Sequence, residues 1–222
     1  MAEPAPLVVA AFDLDGTLTE GGSVFPWLRR IAGTSNANRA ALRLSGPLVV
    51  GAARSGKSAD NAKERLFAAL LGGRDLVELT DASRTFALEH LANEGRPPIL
   101  ARLAWHLEEG HDVVVVSASP QIYVDVIAEA LHAQGALGTR LAVDARGKLT
   151  GGYLGRNCRG SEKMHRLDEW IEQRHYREAP VVYAYGNSRG DRRLLARAAH
   201  PFNVGKLGRL GSLRRFPRFT GQ

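Results

Sequence analysis

Three short apolar runs constrain this chain more than any other feature, because each breaks off into polar residues. Leu7–Leu14 reads LVVAAFDL and passes into Asp15 and Gly16. Asp112–Ser119 reads DVVVVSAS, and Pro180–Asn187 reads PVVYAYGN. Runs of this length suit strands buried on both faces, with their C-terminal ends opening into loops. Between them lie helical segments: Pro97–Glu109, stopped at Gly110, then Gln121–Ala133 after Pro120, then Ser161–Arg174 with apolar residues at helical spacing. Strands alternating with helices predict the α/β class, a parallel sheet covered on both faces. Lys148–Leu154 (KLTGGYL) reads as one arm of a small hairpin.

The interval 21–94 has another texture. It lacks a convincing β-rich run and holds helix formers, as in Ala59–Leu71 (ADNAKERLFAALL). It is read as a helical insertion, leaving residues 1–20 and 95–222 as the core. A chain of 222 residues has room for one sizeable core with such an insertion. Cys158 is the only cysteine, which excludes an intramolecular disulfide or a cysteine-rich metal site and fits a cytoplasmic setting. Met1–Pro6 carry no export signal, and no apolar run reaches the roughly 20 residues a bilayer span needs. A formal net charge of +7 favours anionic partners without choosing among them. The last stretch, Gly205–Gln222, is expected to pack loosely.

Chemistry enters through four features in one order: Asp13-Leu14-Asp15-Gly16-Thr17, Ser117, Lys163, and the Gly186–Asp191 loop. All but Lys163 stand at or just after a predicted strand end, where open α/β sheets bind ligands. A carboxylate such as Asp13 can attack phosphorus and form an aspartyl phosphate. Two like charges about 4 Å apart repel by roughly 4 kcal/mol at an effective dielectric of about 20. Lys163 and a Mg²⁺ ion on oxygen ligands would offset that repulsion. Asp15 can protonate the leaving oxygen and later deprotonate water. Gly16 permits close backbone approach, and the Thr17 and Ser117 hydroxyls can bind phosphoryl oxygens.

On these residues the chain resembles the haloacid dehalogenase superfamily, in its phosphoserine-phosphatase-like branch (subfamily IB). The resemblance rests on Asp-Leu-Asp-Gly-Thr at 13–17, Ser117 in Val-Val-Ser-Ala-Ser, Lys163 in Gly-Ser-Glu-Lys, and Gly186–Asp191. It implies a Rossmann-like doubly wound core with a small helical (C1-type) cap over 21–94. It implies Asp13 as nucleophile, Asp15 as acid/base, and Ser117 and Lys163, with Thr17, as phosphate anchors. Metal ligation by Asp13, Asp15, Asn187 and Asp191 is expected, with Mg²⁺ as cofactor. One departure stands out: the family usually places Asp where this chain has Asn187, so Asp191 is expected to carry more of the metal's charge. The function expected is a Mg²⁺-dependent phosphomonoesterase acting on a small, phosphoserine-like metabolite.

Rival readings attach to other segments. A phospholipid-headgroup phosphatase, of the phosphatidylglycerol-phosphate type, would use the tail's Lys206, Arg209, Arg214, Arg215 and Arg218, interleaved with Phe216 and Phe219, against an acidic membrane surface. Gly51–Ser58 (GAARSGKS) matches G-x-x-x-x-G-K-[ST], which would make the chain a P-loop nucleotide hydrolase or kinase. That motif belongs after a core strand, and Pro47–Val50 is short for one; Arg54 and Lys57 remain candidates for touching substrate anions. A phosphate-binding module without turnover is a third rival, given Asn187. No nucleic-acid module is visible. His106, His111, His165, His175 and His200 lack paired ligand spacing, and Cys158 has no partner base.

Overall fold

The computed structural model describes residues 7–54, 56–206 and 211–221, and only the backbone over 45–54 and 56–59. Its sheet begins with β1 (Val8–Phe12), whose five residues VVAAF are all buried. Flanking it are β2 (Asp112–Pro120) and β6 (Val181–Gly186). Farther out lie β3 (Gly135–Thr139) beside β2 and β7 (His200–Asn203) beside β6, giving the order β3-β2-β1-β6-β7. Every pairing in this sheet is parallel. Phe12 stands in register with Val115 on one side and Tyr185 on the other. The residues that follow therefore leave the sheet at one edge.

Alternate residues of β1 feed two cores. Ala10 and Phe12 face a cluster containing Trp27, Ile99, Leu103 and Tyr123, whereas Val9 and Ala11 face Leu167, Leu194 and Leu195. Apolar residues on both strand faces explain why the run reads as continuous rather than alternating. Helices α5 (Pro97–Glu108) and α6 (Gln121–Ala130) cover the first face, and α7 (Ser161–Gln173) and α8 (Arg192–Arg197) the second. The expected doubly wound α/β fold is present.

Four helices fill the interval between β1 and α5: α1 (Val24–Ala32), α2 (Thr34–Arg54), α3 (Gly56–Leu71) and α4 (Leu76–Glu94). Phe67, Leu71, Leu79 and Phe86 from these helices join Trp27 in the first core. The hairpin is β4 (Leu141–Val143) with β5 (Leu149–Tyr153), antiparallel. It lies so close to α3 that a side chain at Gly151 would sit 2.2 Å from the Ala68 Cα. Glycine is required there.

The Gly51–Ser58 motif falls where α2 runs through Arg54 and α3 starts at Gly56, so a helix precedes it rather than a sheet strand. Its side chains, including Arg54 and Lys57, lie outside the described residues. No helix among the described residues is long and apolar enough to cross a membrane. The expectation of a loose tail is corrected over residues 211–221. Leu213 is buried, and its carbonyl accepts from Asn203 Nδ2 at 3.2 Å. Backbone bonds join Asn203 N to Pro217 O and Phe219 N to Asn203 O. Phe216 and Phe219 turn onto the two cores, since an apolar ring gains more from packing than from water.

Candidate active site

The sheet ladder continues one residue beyond β1, because Asp13 N donates to Tyr185 O at 3.0 Å. The chain then turns sharply: Thr17 N and Thr19 N both donate to Leu14 O at 3.1 Å. Gly16 adopts φ +80°, and a Cβ there would lie 1.9 Å from Asn187 Nδ2. This turn carries the Thr17 hydroxyl back to Asp13 Oδ2, to which it donates at 2.8 Å.

The other Asp13 oxygen is held by Lys163. Its ammonium donates to Asp13 Oδ1 at 2.5 Å and to Asp191 Oδ1 at 2.6 Å, with all three side chains under a tenth exposed. Lys163 sits in the first turn of α7, which is pinned by Gly160 N donating to Gly190 O at 2.9 Å. Burial pushes the Asp13 carboxyl up to about 7, and the charge of Asp191 adds to this against the pull of Lys163. Burial opposes charge on Lys163 as well, yet Asp13 and Asp191 outweigh it and hold the ammonium above the ordinary lysine range. Buried charges of this kind persist only when paired, and removing one partner typically costs about 3–5 kcal/mol.

Asp191 binds both the lysine and its own loop. Besides Lys163 on Oδ1, its Oδ2 accepts from Asn187 N (3.2 Å), Ser188 N (3.0 Å) and Ser188 Oγ (2.8 Å). Together with Lys163, these donors shape the loop after β6. Asn187 behaves oppositely: its Oδ1 is buried without a hydrogen-bond partner. An unpaired buried carbonyl costs about 1–3 kcal/mol unless something else satisfies it.

Asp15 faces the inserted helices. Its Oδ1 accepts from Ser23 N, just before α1, at 2.8 Å, and its Oδ2 from Ser119 Oγ at 2.6 Å. Ser23 Oγ in turn meets Ser119 Oγ and the Tyr123 hydroxyl. Ser117 is buried, and its Oγ accepts from Ser119 N at 3.0 Å. Thus Asp13, Thr17, Lys163 and Asp191 touch directly, Asn187 abuts the Gly16 turn, and Asp15 and Ser117 meet through Ser119. A cavity of about 580 Å³ opens here, lined by Asp15, Gly16 and Asn187 together with Glu20, Lys206 and Leu213.

Several site residues escaped the sequence reading. Arg96, at the start of α5, donates to Gly16 O (2.6 Å), Thr17 O (3.2 Å) and Val204 O (3.4 Å), and pairs with Glu20 at 3.4 Å. Lys63 on α3 donates to Ala118 O (2.5 Å) and Asn157 Oδ1 (3.3 Å). Burial pushes its ammonium down to about 8, against the pull of Asp15 and Asp60. Asn157 Nδ2 donates to Asp60 Oδ1 at 2.6 Å, so one core amide reads two residues of α3. An arginine before two prolines was the one available signal for Arg96; Lys63 and Asn157 had none. Among the histidines, His106 is a satisfied core residue bonded to Tyr185 OH and His111.

A family model for haloacid dehalogenase-like hydrolases matches residues 10–196. Protein CicA of Caulobacter vibrioides is 33% identical over 191 residues, covering 86% of this chain and 82% of its own. The chain belongs to the haloacid dehalogenase-like hydrolase family. A histidinol-phosphatase of Neisseria meningitidis serogroup C is 23% identical, with 88% of this chain and 89% of that protein covered. Among solved structures, a Bordetella pertussis Tohama I protein of unknown function superposes with TM-score 0.78 at 21% identity, over 98% of this chain and 100% of that one. A substrate-bound phosphoserine phosphatase gives 0.64 at 18% identity, over 92% and 90%. This hydrolase therefore shares its fold with phosphoserine phosphatases.

Proposed function

We propose that this haloacid dehalogenase-like hydrolase is a phosphomonoesterase working through a phosphorylated Asp13. The observation that carries the reading is the buried Lys163 ammonium shared between Asp13 and Asp191, with Thr17 on the second Asp13 oxygen. Such an arrangement holds a carboxylate at a strand end with cationic and hydroxyl donors already around it, as attack on an anionic phosphoryl group requires. Asp13 attacks phosphorus while Asp15, steadied by Ser23 and Ser119, gives a proton to the leaving oxygen. Asp15 then takes a proton from water, which hydrolyses the aspartyl phosphate. Lys163, Thr17 and Ser117 anchor the phosphoryl oxygens.

A divalent cation fits the residues present. Asn187 Oδ1 lacks a partner, Asp13 carries a carboxyl raised by burial and by Asp191, and both offer oxygen, the donor that Mg²⁺ prefers. Asp13 and Asn187, with Asp15 beside them, would hold the ion, which supplies positive charge against the phosphoryl group. Asp191 acts by holding Lys163 and the loop. The helices over 21–94 are read as a cap that closes on a small phosphorylated substrate. The phosphoserine phosphatases sharing the fold and the histidinol-phosphatase relative support a phosphorylated amino acid or amino alcohol.

Asp13→Asn is expected to abolish phosphate release from an aryl phosphate, and thorough chelation to remove turnover that Mg²⁺ restores. Full activity in that variant would end the mechanism, and unchanged turnover after chelation would end the metal reading.

A further inference from the structure

Arg30, Arg84, Arg96, Arg159, Arg166 and Arg197 each meet a carboxylate. Arg189, Arg192, Arg193 and Arg215 are all exposed, and together they line one cleft of about 330 Å³. None of them pairs with a carboxylate among the described residues, although Arg197 on the same short helix meets Asp168 at 2.6 Å. The cleft shares no lining residue with the cavity beside Asn187.

The convergence is built by the fold rather than left to a loose tail. Arg189 stands in a turn closed by a reciprocal pair of bonds between Ser188 and Asp191. Arg215 is fixed between buried Leu213, whose carbonyl accepts from Phe216 N at 2.9 Å, and Phe216, which packs on the second core. Its guanidinium lies 4.7 Å from the Phe216 ring centroid, which limits its directions. Four like charges held around one concavity repel each other, and an anion relieves that repulsion. Guanidinium groups bind phosphate oxygens in a two-pronged fashion. A phosphate group carries roughly −1.5 to −2 charge, so a pair of phosphates matches the four arginines.

We propose that this cleft binds a small anion carrying two phosphate groups, at a site separate from the catalytic one. A concave site suits a discrete free ligand better than a flat bilayer. The test is calorimetric titration of the full chain with methylenediphosphonate, whose P–C–P bridge resists hydrolysis. Saturable binding is expected, weakened at least about tenfold in Arg193→Ser/Arg215→Ser while aryl-phosphate turnover stays unchanged. Arg193→Lys/Arg215→Lys, which keeps charge but loses the fork, should fall between. Equal binding in the serine variant, or no binding to the wild type, would overturn the proposal. A parallel arm measures sedimentation with phosphatidylglycerol and phosphatidylcholine vesicles. Retention on the anionic vesicles alone, lost in the serine variant, without diphosphonate binding, would assign the arginines to lipid headgroups and overturn the free-ligand assignment.

Discussion

At the scale of single residues, Asn187 is the most informative position to substitute. Its unpaired Oδ1 and its Nδ2 against the Gly16 turn make it a neutral donor beside two carboxylates. Asn187→Asp adds a negative charge near Asp13 and Asp15, so its effect depends on the cation. Without metal, like-charge repulsion should lower the melting temperature. With Mg²⁺, the charged oxygen should cut the concentration needed for half-maximal activity by about tenfold, equivalent to roughly 1.4 kcal/mol. Melting curves and Mg²⁺ titrations read both effects, and a variant unchanged in both would remove Asn187 from the metal's surroundings. That Asp13, Thr17, Lys163 and Asp191 lie together was legible from the order of the motifs. The bonds that Asp191 Oδ2 accepts from its own loop were not, because spacing does not encode backbone N–H directions.

At the scale of elements, the site is held where the chain leaves the core for the helices and returns. Glu20 N donates to Glu94 O at 2.7 Å and Arg96 N to Leu18 O at 2.9 Å, so the outgoing and incoming segments are laced together. Arg96 then reaches across to the carbonyls of Gly16 and Thr17. Arg96→Lys keeps the charge but loses the fork that fixes these peptide planes, and with them the Thr17 hydroxyl on Asp13. The expected result is a kcat lowered by between about tenfold and a hundredfold with KM little changed. Steady-state kinetics decide it: a raised KM at constant kcat would mean that Arg96 serves binding instead. The three Val-rich or aromatic strands were readable because burial on both faces leaves a continuous apolar run. The edge strands β3 (GALGT) and β7 (HPFN) were not, since glycine, proline and histidine carry little strand propensity and pairing with β2 and β6 makes them strands.

At the scale of the whole molecule, the arrangement is a sheet whose strand order turns about β1, a buried polar cluster around Asp13 and Lys163 at that turning point, and helices packed beside it. Besides the apolar contacts of Phe67 and Leu71, polar groups join α3 to the core: Lys63 to Ala118 and Asn157, and Asp60 to Asn157 and Arg159. The doubly wound plan and the helical insertion were legible because their periodicities differ. The packing of the tail was not, because Leu213, Phe216 and Phe219 are separated by basic residues that hide an inward-facing set. The central claim, a covalent bond between Asp13 and phosphorus, can be tested on the intact protein. Rapid acid quench during turnover of a phosphate-labelled substrate, followed by borohydride reduction and peptide mapping, should find the modified residue at Asp13 alone. A label on another residue, or full turnover with no trapped phosphoenzyme and an Asp13→Asn variant that still works, would contradict it.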